Sequence, residues 1–219
     1  MSTKILTSLA LAGLVSTAVA CSTQSDVEIT FYGYPDNDPP SADIAYDCGR
    51  GYTAGGTGTY SDPLTFASAP GEFDQCEIIY LPYLRKYLRF EDTCAQCTTD
   101  YEDGKRHIDI WTGSSTSNGG DSQIDCEDDL TPDNSQSIVT DPASSYTVNS
   151  GELFSDGTCH TSNTYSNADA SSYCSSGSSS SGSGSGSSSC AWEGHCAGAS
   201  CSDENDCSGD LTCQDGKCA

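Results

Sequence analysis

The chain has 219 residues, 14 of them cysteine, and sets 32 acidic side chains against 8 basic ones for a net charge of −24. Binding phosphate requires clustered Lys and Arg, so nucleic acid and anionic membrane surfaces are excluded as partners. A neutral or basic polymer suits so acidic a surface.

Residues 1–20 have the pattern of a secretory signal peptide: Lys4 in the leading region, an apolar run from Ile5 to Val19, and Ala18-Val19-Ala20 as a small-residue cleavage site. The run is too short to span a membrane, and no later segment comes closer. Cleavage would leave Cys21 first, which also fits a bacterial lipoprotein, although Ala18 stands where the lipid-attachment signal usually has leucine. An even count of 14 cysteines in a secreted chain implies disulfides rather than metal ligands. The expected location is extracellular, with no membrane association after cleavage.

Three parts follow. Residues 21–174 hold eight cysteines and nearly all apolar runs, enough for one compact core. Residues 175–189 are only Ser and Gly and read as a flexible linker. Residues 190–219 pack six cysteines into thirty positions, a module that disulfides rather than a hydrophobic core would stabilise.

In the large part the pattern is all-β. Residues 27–34 alternate and are rich in β-formers, ending at Pro35 and the turn residues Asp36, Asn37 and Asp38. Residues 64–67 begin a second apolar piece. Residues 77–90 read as an apolar hairpin that delivers Glu91 and Asp92, residues 107–111 as a strand, and 137–140 and 145–148 as further short strands. No stretch shows helical apolar spacing over three turns, so a sandwich or small barrel is expected.

The segment at 107–111 carries the chemistry. Side chains alternate along a strand, so Ile108 and Ile110 should face the core while His107, Asp109 and Trp111 share an open face. A carboxylate between an imidazole and an indole suits proton donation to a bound sugar. Tyr32, Tyr34 and Trp111 are candidates for stacking against sugar rings, and Trp192 for the same task in the terminal module. Cys94 and Cys97 match a redox or zinc spacing, but an oxidising compartment favours a structural disulfide. Gly55-Gly56-Thr57-Gly58 lacks the Lys and helix of a phosphate cradle. No metal or other cofactor is expected.

At these residues the chain resembles the double-psi β-barrel superfamily. Thr30-Phe31-Tyr32-Gly33 is similar to the opening strand of expansins, and His107-Ile108-Asp109 to the His-Phe-Asp motif of expansins and family-45 endoglucanases, with isoleucine in place of phenylalanine. Ile79-Tyr80 through Asp92-Thr93, followed by His107-Ile108-Asp109, also resembles the barrel segment of membrane-bound lytic transglycosylase A. The aromatic platform domain of expansins is replaced by the linker and the cysteine module, which looks like small modules of secreted fungal proteins. The resemblance implies a six-stranded barrel in which Asp109 protonates the glycosidic oxygen. Asp92 would tune it, and Asp36 or Asp38 would serve as base. The implied partner is a β-linked cell-wall polysaccharide, acted on by a monomer. The alternatives are a non-catalytic, expansin-like wall-loosening or glycan-binding protein and a secreted effector.

Overall fold

The computed structural model describes residues 21–174 together with residues 213, 214, 217 and 218. The expected signal peptide, the linker and most of the cysteine module, including Trp192, lie outside the described residues. In the module's described part, Cys213–Gln214 pairs antiparallel with Lys217–Cys218, and both of its cysteines are disulfide-bonded.

Between residues 21 and 174 the chain is mostly β. Six strands, β1 (Ser22–Gly33), β2 (Leu64–Ser68), β3 (Ile78–Leu81), β4 (Lys86–Thr93), β5 (Arg106–Thr112) and β6 (Gln136–Thr140), close a barrel in the order β1-β5-β2-β4-β3-β6. Closure leaves no unpaired edge, which suits strands this short. β1 runs parallel to β5 and β2 parallel to β4, while β2 and β5 are antiparallel. The expected hairpin is the β3–β4 pair, which runs from Ile78↔Arg89 to Leu81↔Lys86. A small hairpin, Phe154–Ser155 with Thr158–Cys159, follows the barrel.

Alternation sorts the barrel's side chains as expected. Val27, Ile29 and Phe31 of β1, Leu64 and Phe66 of β2, Leu88 and Phe90 of β4, and Ile108 and Ile110 of β5 are buried in one cluster. A second, smaller cluster gathers Tyr80, Tyr87 and Val139 with Tyr146 and Tyr173, next to the Cys21–Cys174 disulfide. Cys48–Cys76, Cys94–Cys97 and Cys126–Cys159 complete the pairing, so all eight cysteines bond within this part.

Two helices correct the expectation of strands and loops alone, and residues 145–148 are not a strand. α1 (Ala95–Glu102) starts on Cys94, whose Sγ accepts the Cys97 N–H at 3.0 Å. The Cys94–Cys97 disulfide fixes that first turn. Its buried residues are only Cys97 and Asp100, so an apolar stripe was never there to read. α2 (Asp121–Leu130) buries Gln123, Cys126, Glu127 and Leu130. That is helical spacing, i, i+3, i+4, i+7, but two of the four are polar, and a search for apolar periodicity passes over them.

α2 lies against the end of β1 closely enough to require glycine there. A Cβ at Gly33 would sit 1.8 Å from Gln123 Nε2 and 2.6 Å from Glu127 Oε1.

Candidate functional site

Paired residues in a sheet project to the same side. The register therefore sets Thr30 of β1 beside Asp109 of β5, Asp109 beside Ala67 of β2, and Ala67 beside Asp92 of β4. Asp92 reaches this row because of a β-bulge. The β2–β4 register shifts after Phe66↔Phe90, so that Ala67 meets Asp92 and Glu91 becomes the extra residue. Without the shift Asp92 would fall on the opposite face, and re-aiming a side chain is what such bulges do. Glu91 is fully buried and is held by Arg50 at 2.8 Å, Arg89 at 2.6 Å and the Thr65 hydroxyl at 2.5 Å.

The face that carries Asp109 is less open than the sequence suggests. Trp111 is 0 % and His107 2 % exposed, so neither can meet a polymer in solution. Tyr32 is also buried, packed edge-on against Trp111 at 5.3 Å, and Tyr34 is partly buried. Tyr32 and Trp111 are core, with the indole wedged beside Tyr32 rather than offered to a sugar, whereas Tyr34 keeps part of its surface exposed. α1 packs on β5 and α2 on β1, and Asp100 of α1 hydrogen-bonds the buried His107. Asp109 stays partly exposed.

Hydrogen bonds connect the row in two directions. On one side the Thr30 hydroxyl lies 2.7 Å from Asp109 Oδ1 and 2.9 Å from His107 Nε2, while His107 Nδ1 meets Asp100 Oδ2 of α1 at 2.9 Å. On the other, the Tyr32 hydroxyl donates to Asp92 Oδ2 at 3.0 Å, and Asp92 Oδ1 accepts the N–H groups of Ala45 and Thr93 at 3.0 and 2.8 Å.

Burial pushes the Asp109 carboxyl up to about 6. The Thr30 hydrogen bond and the His107 charge oppose this, and the Asp36 and Asp92 carboxylates add to it. Asp92 is also raised by burial, against its three hydrogen-bond donors. Asp100 is lowered, first by the His107 hydrogen bond and then by Gln96 and Lys105. Burial and the neighbouring Asp92 and Asp109 carboxylates keep the Tyr32 phenol protonated.

Asp36 sits in the loop after β1, where Oδ2 accepts the Gly33 N–H at 3.0 Å. It meets a residue that the sequence reading missed. Glu127 of α2 is 4 % exposed, accepts the Thr112 hydroxyl at 2.7 Å, and shares a hydrogen bond with Asp36. Burial and the Asp36 carboxylate push Glu127 up to about 9, so this pair holds a proton at neutral pH. The signal that could have found it is an acidic residue at the core-facing helical positions of α2. Among the described residues Asp38, the second possible base, makes no hydrogen bond to Asp36, Glu127 or Asp109.

Glu28, Asp100 and His107 bring one ligand atom each within 4.8 Å of one another. Both His107 nitrogens already face partners, Asp100 and Thr30, and neither is left over for an ion. Taken together, the row offers one partly exposed acid that stays protonated into mildly acidic pH, with carboxylates on two sides of it. Such a group can donate a proton to a leaving oxygen.

Comparison with known proteins adds relatives at two scales. Over 31 residues, 14% of this chain and 8% of the relative, the chain is 74% identical to endo-chitosanase C of Aspergillus oryzae. The same enzyme from another strain matches at 61% over 36 residues. No solved structure matches. Over 128 residues, 58% of this chain, it is 39% identical to an uncharacterised Dictyostelium discoideum protein, DDB_G0273701/DDB_G0273221. The match spans 55% of that relative, so the chain corresponds to about half of its length. Residues 24–160, which contain all of the barrel but the first two residues of β1 and all of the acidic row, match the family described as the DDB_G0273701 N-terminal domain, and the chain belongs to that family.

Proposed function

We propose that this is a secreted protein that acts on a β-linked cell-wall polysaccharide, cleaving glycosidic bonds by proton donation from Asp109. The barrel would be of the double-psi type. The observation that carries the reading is a single one: Asp109 is held up to about 6 at a partly exposed position, beside the Asp36 and Asp92 carboxylates. A general acid needs its proton at working pH, and burial beside other carboxylates supplies that.

Asp92 has little left to offer as a base. Its two oxygens already take three donors, one from Tyr32 and two from the backbone, so its part is to raise Asp109. Hydrolysis with inversion would then use Asp36 to activate water. If Asp36 stays bound up with Gly33 and Glu127, the one-acid route of a lytic transglycosylase remains, in which a sugar hydroxyl takes the place of water. The same engagement of both neighbours favours, as the second reading, an expansin-like protein that loosens a polymer without cutting it.

The polymer class follows from charge. At −24 the protein attracts cationic chains and repels anionic ones. The similarity to an enzyme called a chitosanase, although it covers only 14% of this chain, supports an amino-sugar polymer. The terminal module would hold the barrel near the insoluble substrate.

The test is incubation of the purified protein with chitosan, chitin, cellulose, other β-glucans and peptidoglycan, with soluble products analysed by mass spectrometry. Ordinary reducing ends would mean hydrolysis, and products lighter by one water would mean transglycosylation. Undiminished turnover in Asp109→Asn would overturn the assignment of the acid, and absence of products on every polymer would leave the expansin-like reading.

A further inference from the structure

The hydrogen bonds behind Asp109 have a property that burial and charge do not express. The Thr30 hydroxyl has one hydrogen but stands between two partners, Asp109 Oδ1 at 2.7 Å and His107 Nε2 at 2.9 Å. It can donate to only one, so the other must donate to it. If Thr30 donates to Asp109, Nε2 carries a hydrogen. Asp100 is ionised in that position, so Nδ1 at 2.9 Å must carry one too, and His107 is an imidazolium. If Thr30 donates to Nε2, Asp109 carries the proton as a carboxylic acid and His107 is neutral with its hydrogen on Nδ1. The two arrangements contain the same number of protons. They differ only in where one of them resides.

We propose that Thr30 is a proton conduit and His107 the reservoir behind Asp109, with Asp100 fixing the imidazole. This deepens the proposed function and rests on Asp109 being the acid. While Asp109 is a carboxylate, the shared proton sits on His107 as the imidazolium. The Nε2–H of the imidazolium then passes to Thr30 Oγ1 as the Thr30 hydrogen passes to Asp109 Oδ1. Two O–H bonds form, one N–H and one O–H bond break, and the hydroxyl is restored. His107 ends neutral with Nδ1–H still donating to Asp100. Asp109 then gives that proton to the glycosidic oxygen, and water at its partly exposed face returns one to the pair. Thr30, His107 and Asp100 do not touch substrate. They are positioning residues that set whether the shared proton sits on Asp109 or on His107.

The other charged groups nearby do not interrupt the path. Asp109 also faces Asp92 and Asp36, and Tyr32 beside them stays protonated. His107 also faces Glu28 across β1 and Glu72 from the segment after β2.

The test is nitrogen-15 NMR of the His107 ring against pH in the wild type, Asp109→Asn, Thr30→Val, Thr30→Ser and the double variant Thr30→Val with Asp109→Asn. A shared proton makes the His107 titration a two-step curve that belongs to the pair. Asp109→Asn should reduce it to one step. Thr30→Val should also give a single step, after which adding Asp109→Asn should change little, whereas Thr30→Ser should keep both steps. A single His107 step in the wild type, unchanged by Asp109→Asn, would overturn the relay. So would two steps that persist undiminished in Thr30→Val. If the valine variant does not fold, the comparison of wild type with Asp109→Asn decides alone. On a substrate that the wild type cleaves, Thr30→Val should lower kcat about tenfold, less than the roughly 100-fold or more expected for losing the acid itself, and Thr30→Ser should restore it. The ring titration does not depend on turnover, so a protein that cuts nothing would refute the catalytic reading while leaving the coupling to stand or fall separately.

Discussion

Replacing Glu127 by glutamine should alter the pH dependence of stability in a way that no surface change would. Glu127 is buried, accepts the Thr112 hydroxyl with one oxygen and shares a proton with Asp36 through the other. Its carboxyl is raised to about 9, whereas in the unfolded chain it titrates near the ordinary glutamate value of about 4.3. A raised folded-state value means that the stability it contributes is fully present below about pH 4.3 and is lost as pH rises toward 9. Within that window the slope is at most about 1.4 kcal/mol per pH unit, so raising the pH from about 6 to about 8 costs up to about 3 kcal/mol. Glutamine copies the protonated acid: its carbonyl accepts from Thr112 and its amide donates to Asp36, with no proton to lose. Glu127→Gln should therefore match the wild type near pH 5 and exceed it in alkaline buffer, with the gap widening as pH rises. Denaturant titration of both proteins across this range measures the difference, and other titrating groups cancel in it. Parallel curves would refute the assignment of the buried proton to this pair.

Three further outcomes follow from the same geometry. Activity against the cleaved polymer should fall as pH rises through about 6, where Asp109 ionises, and Asp109→Asn should cut kcat by roughly 100- to 10,000-fold with the fold unchanged by circular dichroism. Gly33→Ala would bring a methyl to 1.8 Å from Gln123 Nε2, so the buried Gln123 and Glu127 side chains must leave their hydrogen bonds and thermal unfolding should show a loss of about 1–3 kcal/mol, while an unchanged midpoint would argue against the close approach. Removing both Cys21 and Cys174, which are 153 positions apart, frees the longest loop among the disulfides described here and should lower stability by about 4–5 kcal/mol in denaturant.

Strand character was legible where side chains alternate without exception. Ile108 and Ile110 against His107 and Asp109 is such a case, and the closed barrel confirms it. What alternation cannot show is what lies on the outer face. Nothing at His107 says that a helix will cover it, because the α1 residue that reaches it is Asp100, which holds it by a hydrogen bond rather than by apolar contact. Asp92 was placed beside Asp109 for the right outcome without its cause. The bulge that turns it outward depends on β2–β4 pairing, which no local pattern in the chain encodes. Glu127 escaped for a related reason, since an acidic residue on a polar helix reads as solvated until a partner carboxyl is seen across from it.

The Cys94–Cys97 bridge closes a loop too short to matter much for the global fold, and its influence is local to α1. An eight-residue helix is marginal by itself, because forming the first turn is the unfavourable step. The bridge makes that turn in advance, and the same turn leads to Asp100. If this bridge alone is reduced, the barrel keeps its core and its other three disulfides, while α1 would fray and its hold on His107 would weaken. The protein would then fail in stages, with its acid chemistry degrading before its architecture, and the redox state of the surroundings would set how long the site outlasts its synthesis.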